Sequence, residues 1–398
     1  MRNVSRGMVS VTVTCALACL SGSLAFSQHV IHFANGMAGV AKLDRPPARG
    51  PAQKQVRTLA AIRGPAATSG LTFFTAGFQS FDTVIPLTFI GTNPILGSAT
   101  STTPTVIIPI KFVFSNGDAF DAGPVAASTA ASPIFETTDF TTGGTDIGVT
   151  QYGDAIQRAQ FWNLTNPNGS SPDYHVLLGK PVILPTQTVN VPAGLWTEAH
   201  IIGSSFVFGI VDVNFFSNVV IPGLLIQFNI QPGTLPIFLD ADTYLSVGGG
   251  IPNCCIGGFH SSTQGPIQTA QTWVFAVYIS PRDGVFGPGT GDVSALSHEV
   301  AEWLNDPFVG AFPSFGFNFV APYELPGQGG CMFNLETGDP LEAPAVTTFT
   351  ETTNGKVYHL QDEAFVPWFT NATPSFSVNG FYSYLGTFTT PDTLCGPG

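Results

Sequence analysis

Residues 105–114 read TVIIPIKFVF: eight of the ten are β-branched or aromatic, and Ser115, Asn116 and Gly117 follow as a turn. Such a run bounded by turn residues predicts a β-strand. Working outward, residues 72–78 (TFFTAGF) and 83–91 (TVIPLTFIG) have the same character, as do 272–280 (TWVFAVYIS) and several runs between 173 and 247. With 34 Phe, 44 Gly and 32 Pro and only 10% charged residues in 398, the composition predicts many short strands joined by tight turns. The expected fold is α+β, mostly antiparallel β-sheet with few helices. A β-rich part spans 69–230, and a second part, 231–398, follows it or continues the same domain.

Helical spacing is rare. Residues 150–163 (TQYGDAIQRAQFWN) place Ala155, Ile156, Ala159 and Phe161 or Trp162 on one face. Arg158 is a rare base there, suited to anchoring a structural carboxylate. Residues 292–307 (DVSALSHEVAEWLNDP) form the other helix, with Asp292 or Ser294 as N-cap and Pro307 as stop. Segments 120–148 and 248–268 read as loops. Segment 224–230 reads as a strand, and 356–369 and 376–388 as closing strands. No fixed-period repeat is found.

The N-terminus has the form of a secretory signal. Arg2 and Arg6 precede an apolar run over about 9–26 that ends in Ala25-Phe26-Ser27. Residues 1–27 are therefore expected to be removed, 28–68 to be a disordered Pro/Ala/Arg-rich leader, and the mature chain to carry no stable membrane anchor. From residue 69 onward, five bases face 25 acids, a net of −20. That balance argues against nucleic acid or anionic membrane as partner. The four cysteines beyond the signal, Cys254, Cys255, Cys331 and Cys395, predict two disulfides. Adjacent pairing is strained, so each of Cys254 and Cys255 is expected to take a distant partner. N-glycosylation acceptor patterns occur at Asn163, Asn168 and Asn371.

The chemistry-bearing stretch is H-E-x-x-E at 298–302. The i, i+4 spacing puts His298 and Glu302 on one helix face with Glu299 beside them. Such a polar group on an apolar helix is costly to bury without a partner, and a metal ion satisfies it. Residues 334–342 (NLETGDPLE) offer Glu336 and Asp339 around a glycine turn as further ligands, with His260 and His359 as other candidates. Asp306 is expected to end the helix by accepting backbone hydrogen bonds.

This helix resembles the zincin metallopeptidase signature H-E-x-x-H, with Glu302 where that family has its second histidine. The resemblance implies zinc, or another divalent cation, on His298 and Glu302, with Glu336 or Asp339 completing the shell. It also implies Glu299 as general base, Tyr323 or Tyr358 as oxyanion donor, and a peptide or protein substrate. The extra carboxylate weakens the Lewis acid and favours harder ions. The order CCIGGFHSST (254–263), LSHEVAEWLNDPF (296–308), LETGDP (335–340) is similar to exported bacterial proteins carrying SHExxE…DP…EIGD. It is loosely similar to the plant exordium, or phosphate-induced, proteins. The expected function is an exported metallohydrolase, secreted or periplasmic. The alternative is a non-catalytic extracellular or cell-envelope β-rich protein whose His/Glu cluster is a structural ion site or a polar patch.

Overall fold

Strand Leu235–Ala241 runs through the centre of the molecule with all seven residues buried. It pairs in parallel with Thr105–Val113 on one side and with Ala270–Tyr278 on the other, and Gly258–Gln264 closes that edge antiparallel. On the far side of Thr105–Val113, Gln187–Asn190 and Val182–Ile183 add parallel pairs, while Ala119–Asp121 pairs antiparallel with Lys111–Val113 on the opposite edge. Burial on both faces explains why Thr105–Val113, Leu235–Ala241 and Ala270–Tyr278 read as continuous apolar runs instead of alternating ones. This computed structural model describes residues 70–165, 174–201, 204–264, 270–280, 284–309, 318–327, 330–342, 346–392 and 395. The expected signal segment, the leader and Asn168 lie outside the described residues.

The remaining ladders are mostly antiparallel hairpins, including Phe73–Ser80 with Thr83–Ile90 and Thr348–Thr353 with Lys356–Gln361. The molecule is α+β and dominated by sheet, as the composition predicts. Strands from both sides of residue 230 join in the central sheet, where Thr105–Val113 pairs with Leu235–Ala241. Ile107, Phe112, Phe238 and Val274 share one core, so the two expected parts have no separate interiors there.

Helix Ser294–Asn305 lies on Ala270–Tyr278 and Gly258–Gln264, flanked by Lys356–Gln361 and by helix Tyr152–Gln160. All twelve of its residues are buried, as expected of a helix packed on every side. Its polar side chains therefore need internal partners. Trp303 donates to Thr272 Oγ1 at 3.0 Å, and Ser297 Oγ accepts from the Gln361 backbone at 2.9 Å. Asn305 Oδ1 accepts from Gln157 and Gln160 at 3.1 and 2.8 Å, which stitches the two helices together. Gly153 sits at their crossing, where a β-carbon would meet Leu304 Cδ1 at 2.6 Å.

Several local expectations are corrected. Segment 120–148 contains helix Gly123–Ala130 and the hairpin Thr138–Thr142/Thr145–Thr150, whose turn is made by Gly143 and Gly144 at positive φ. The expected strand at 224–230 is instead helix Ile221–Gln227. Upstream, Asp212 accepts the Phe215 N–H at 2.7 Å and turns the chain out of its strand, so a short apolar run ambiguous in period becomes helical. Segment 248–268 forms strands Cys254–Ile256 and Gly258–Gln264. After Lys356–Gln361 the chain turns into helix Val366–Phe369, and 376–388 holds a 3-10 turn at Val378–Gly380. The N-cap position of the motif helix is Val293, with no side-chain cap. Asp292, at φ 36°, instead uses its carboxylate on the Val293 N–H and on His359. Ser294 Oγ accepts from Gly291.

The disulfides are Cys331–Cys395 and Cys254–Cys255. The second contradicts the expected distant partners. A cis peptide joins this pair, which starts a short strand paired to Thr243–Ser246. Among the described residues no helix is long and apolar enough to cross a membrane.

Candidate metal centre

The site forms where the motif helix meets the edge strand Gly258–Gln264 and the segment 334–342. His298 and Glu302 lie one helical turn apart, and His298 Nε2 is 3.1 Å from Glu302 Oε2. The edge strand brings in His260, whose Nδ1 is 3.3 Å from Glu299 Oε2 and 3.5 Å from Glu302 Oε2. The 334–342 segment adds three carboxylates. Glu336 Oε2 is 3.8 Å from His260 Nε2, Asp339 Oδ1 is 3.6 Å from His298 Nε2, and Glu342 Oε1 is 3.7 Å from His298 Nδ1. None of these seven residues is more than 4% exposed.

Two glycines permit this convergence. Gly338 lies against the His298 ring, where a β-carbon would overlap it, and its N–H donates to Glu302 Oε1 at 3.1 Å. A β-carbon on Gly258 would meet Glu299 Cγ at 2.6 Å. Both are needed for close approach of backbone to the site's side chains.

The supporting contacts orient the ligating groups. His260 Nε2 is 3.1 Å from the Asp306 carbonyl; a carbonyl only accepts, so Nε2 carries a proton there while Nδ1 faces Glu299 and Glu302. The Asp306 carboxylate accepts the Asn318 N–H at 3.0 and 3.1 Å at the end of the helix, as expected. Asn334 Nδ2 donates to Glu336 Oε1. Behind the site, Glu363 accepts from Thr337 Oγ1 at 2.8 Å and from the Tyr152 hydroxyl at 3.1 Å.

Neither ring nitrogen of His298 makes a hydrogen bond within the described structure. For both His298 and His260, burial lowers the pKa, yet the surrounding carboxylates outweigh it and hold it well above the ordinary value. Burial raises Glu299, against the lowering pull of His260 and His298. Burial likewise raises Asp306 and Glu363. Without an ion, protons are thus recruited to a carboxylate-rich interior, which is where a cation competes best.

Ligand atoms fall into three groups, each within 4.8 Å of one another: His260/Glu302/Glu336, His298/Glu299/Glu302 and His298/Asp339/Glu342. All five residues named from sequence, His298, Glu299, Glu302, Glu336 and Asp339, are brought together, and His260 joins them. His359 stays outside, bound to Asp292 through Nδ1 at 2.7 Å. Tyr358 donates to the Ser128 carbonyl, and Tyr323 to the Asn334 carbonyl at 3.1 Å, so both hydroxyls are committed to backbone. Glu342 was not singled out in the sequence. The signal was the D-P-L-E spacing, because a 3-10 turn, here Asp339–Leu341, puts residues i and i+3 on one side. No family model matches the chain, and no curated protein or solved structure matches it.

Proposed function

We propose that this protein is an exported metal-dependent hydrolase, zincin-like in chemistry, acting on peptide or protein substrates. The observation that carries the reading is His298: a buried imidazole with no hydrogen bond at either nitrogen among the described residues, within 3.1–3.7 Å of Glu302, Asp339 and Glu342. One imidazole with carboxylates is a donor set for zinc or a harder first-row divalent ion. Such an ion supplies Lewis-acid polarisation of a carbonyl and a lowered pKa for water. Glu299 accepts the proton. Its Oε1 is 3.8 Å from His298 Nε2, and burial raises its pKa in the direction a general base requires. Two disulfides fit an oxidising compartment, in keeping with export.

One observation favours a second reading. Every candidate ligand is buried, which suits a structural ion tying the helix to segment 334–342 without catalysis. The deciding experiment uses the full chain loaded with zinc or manganese, assayed on casein and a peptide library beside Glu299→Gln. The hydrolase reading expects cleavage by the wild type and a loss of about 100-fold or more in Glu299→Gln with metal content unchanged. Metal without cleavage selects the structural ion. A wild type that retains no metal after loading overturns both.

A further inference from the structure

The three ligand groups contain two that share no residue: His298/Asp339/Glu342 and His260/Glu302/Glu336. Each has one imidazole and two carboxylates, which is a complete triad for a divalent ion. Glu302 stands between them, since its Oε2 is 3.1 Å from His298 Nε2 and 3.5 Å from His260 Nδ1. We infer that the cluster holds two divalent first-row cations, of the manganese or iron(II) type, with Glu302 shared between them. This rests on the metal reading above and adds a second ion to it.

Two observations point to a pair of ions. His260 is oriented as a metal-binding imidazole is, with Nε2–H fixed on the Asp306 carbonyl and Nδ1 facing Glu299 Oε2 at 3.3 Å and Glu302 Oε2 at 3.5 Å. Among the described residues His298, 98% buried, makes no hydrogen bond at either ring nitrogen, so its imidazole can serve an ion independently of His260. The carboxylate-rich donor set favours harder ions over zinc.

The test titrates metal-free full-length protein with Mn²⁺, reading stoichiometry by calorimetry and elemental analysis and the loaded protein by electron paramagnetic resonance. Two equivalents and a spin-coupled manganese spectrum are expected. Glu336→Gln, nearly isosteric, should bind one equivalent and show an isolated-ion spectrum, with His260→Ala as the second variant and circular dichroism confirming the fold of each. One equivalent in the wild type overturns the second ion while leaving the single-ion reading intact. Two equivalents that persist in both variants overturn the assignment to His260 and Glu336. No bound manganese overturns the inference together with the reading beneath it.

Discussion

Gly338 donates its backbone N–H to Glu302 Oε1 at 3.1 Å while its α-carbon rests against the His298 ring. One residue thereby sets the position of both motif side chains, from 36 residues further along the chain. Its φ of −85° is open to any residue, so close approach, not conformation, is what demands glycine.

Gly338→Ala is therefore expected to displace His298. The overpacking cost is about 1–3 kcal/mol. Metal affinity should fall about 10-fold or more, as when a group that orients a ligand is lost. Calorimetric titration of metal into the folded variant checks this.

Chelation should destabilise the loaded protein, because an ion that binds only the folded chain adds about 2.7 kcal/mol at 100 times its Kd. Thermal melts with and without a chelator are expected to differ by several degrees, and His298→Ala should abolish most of that difference.

Asp292 anchors the chain where it enters the motif helix. Its carboxylate accepts the Val293 and His359 N–H groups at 2.6 and 2.9 Å, and meets His359 Nδ1 at 2.7 Å. Asp292→Ala leaves these donors without their acceptor and should cost about 2–4 kcal/mol in denaturant unfolding. Metal stoichiometry should be unchanged, since His359 is not among the grouped ligands.

Asp362 gives a pH dependence separable from the metal cluster. Burial raises its pKa from 3.8 to about 6, despite hydrogen bonds from the Leu385 N–H and Thr387 Oγ1. The folded state then holds a proton that the unfolded state releases, so this group's contribution to stability falls as pH rises from about 4 to about 6. Asp362→Asn should remove that slope, with a difference in pH dependence from wild type of about 3 kcal/mol across the interval. Urea unfolding of both proteins at several pH values measures it.

The sequence by itself determined the β-rich α+β class, the short helix over 292–307, and the shared face of His298 and Glu302. Each follows from a local period: two for strands, 3.6 for helices. It also marked the Glu336–Asp339 turn as the segment to watch. Local pattern read 224–230 as a strand where helix Ile221–Gln227 forms, and it did not reveal the parallel pairing at the centre of the sheet. Nor did it give the bridge between Cys254 and Cys255. Only the tertiary structure selected His260 over His359 and added Glu342. Which carboxylates meet depends on sheet order, which lays the Gly258–Gln264 edge beside the motif helix, and on two glycines that let backbone approach within reach of the ligands. A spacing in sequence fixes what one turn of helix presents, whereas the burial of seven ionisable side chains at one point is a property of the packed molecule.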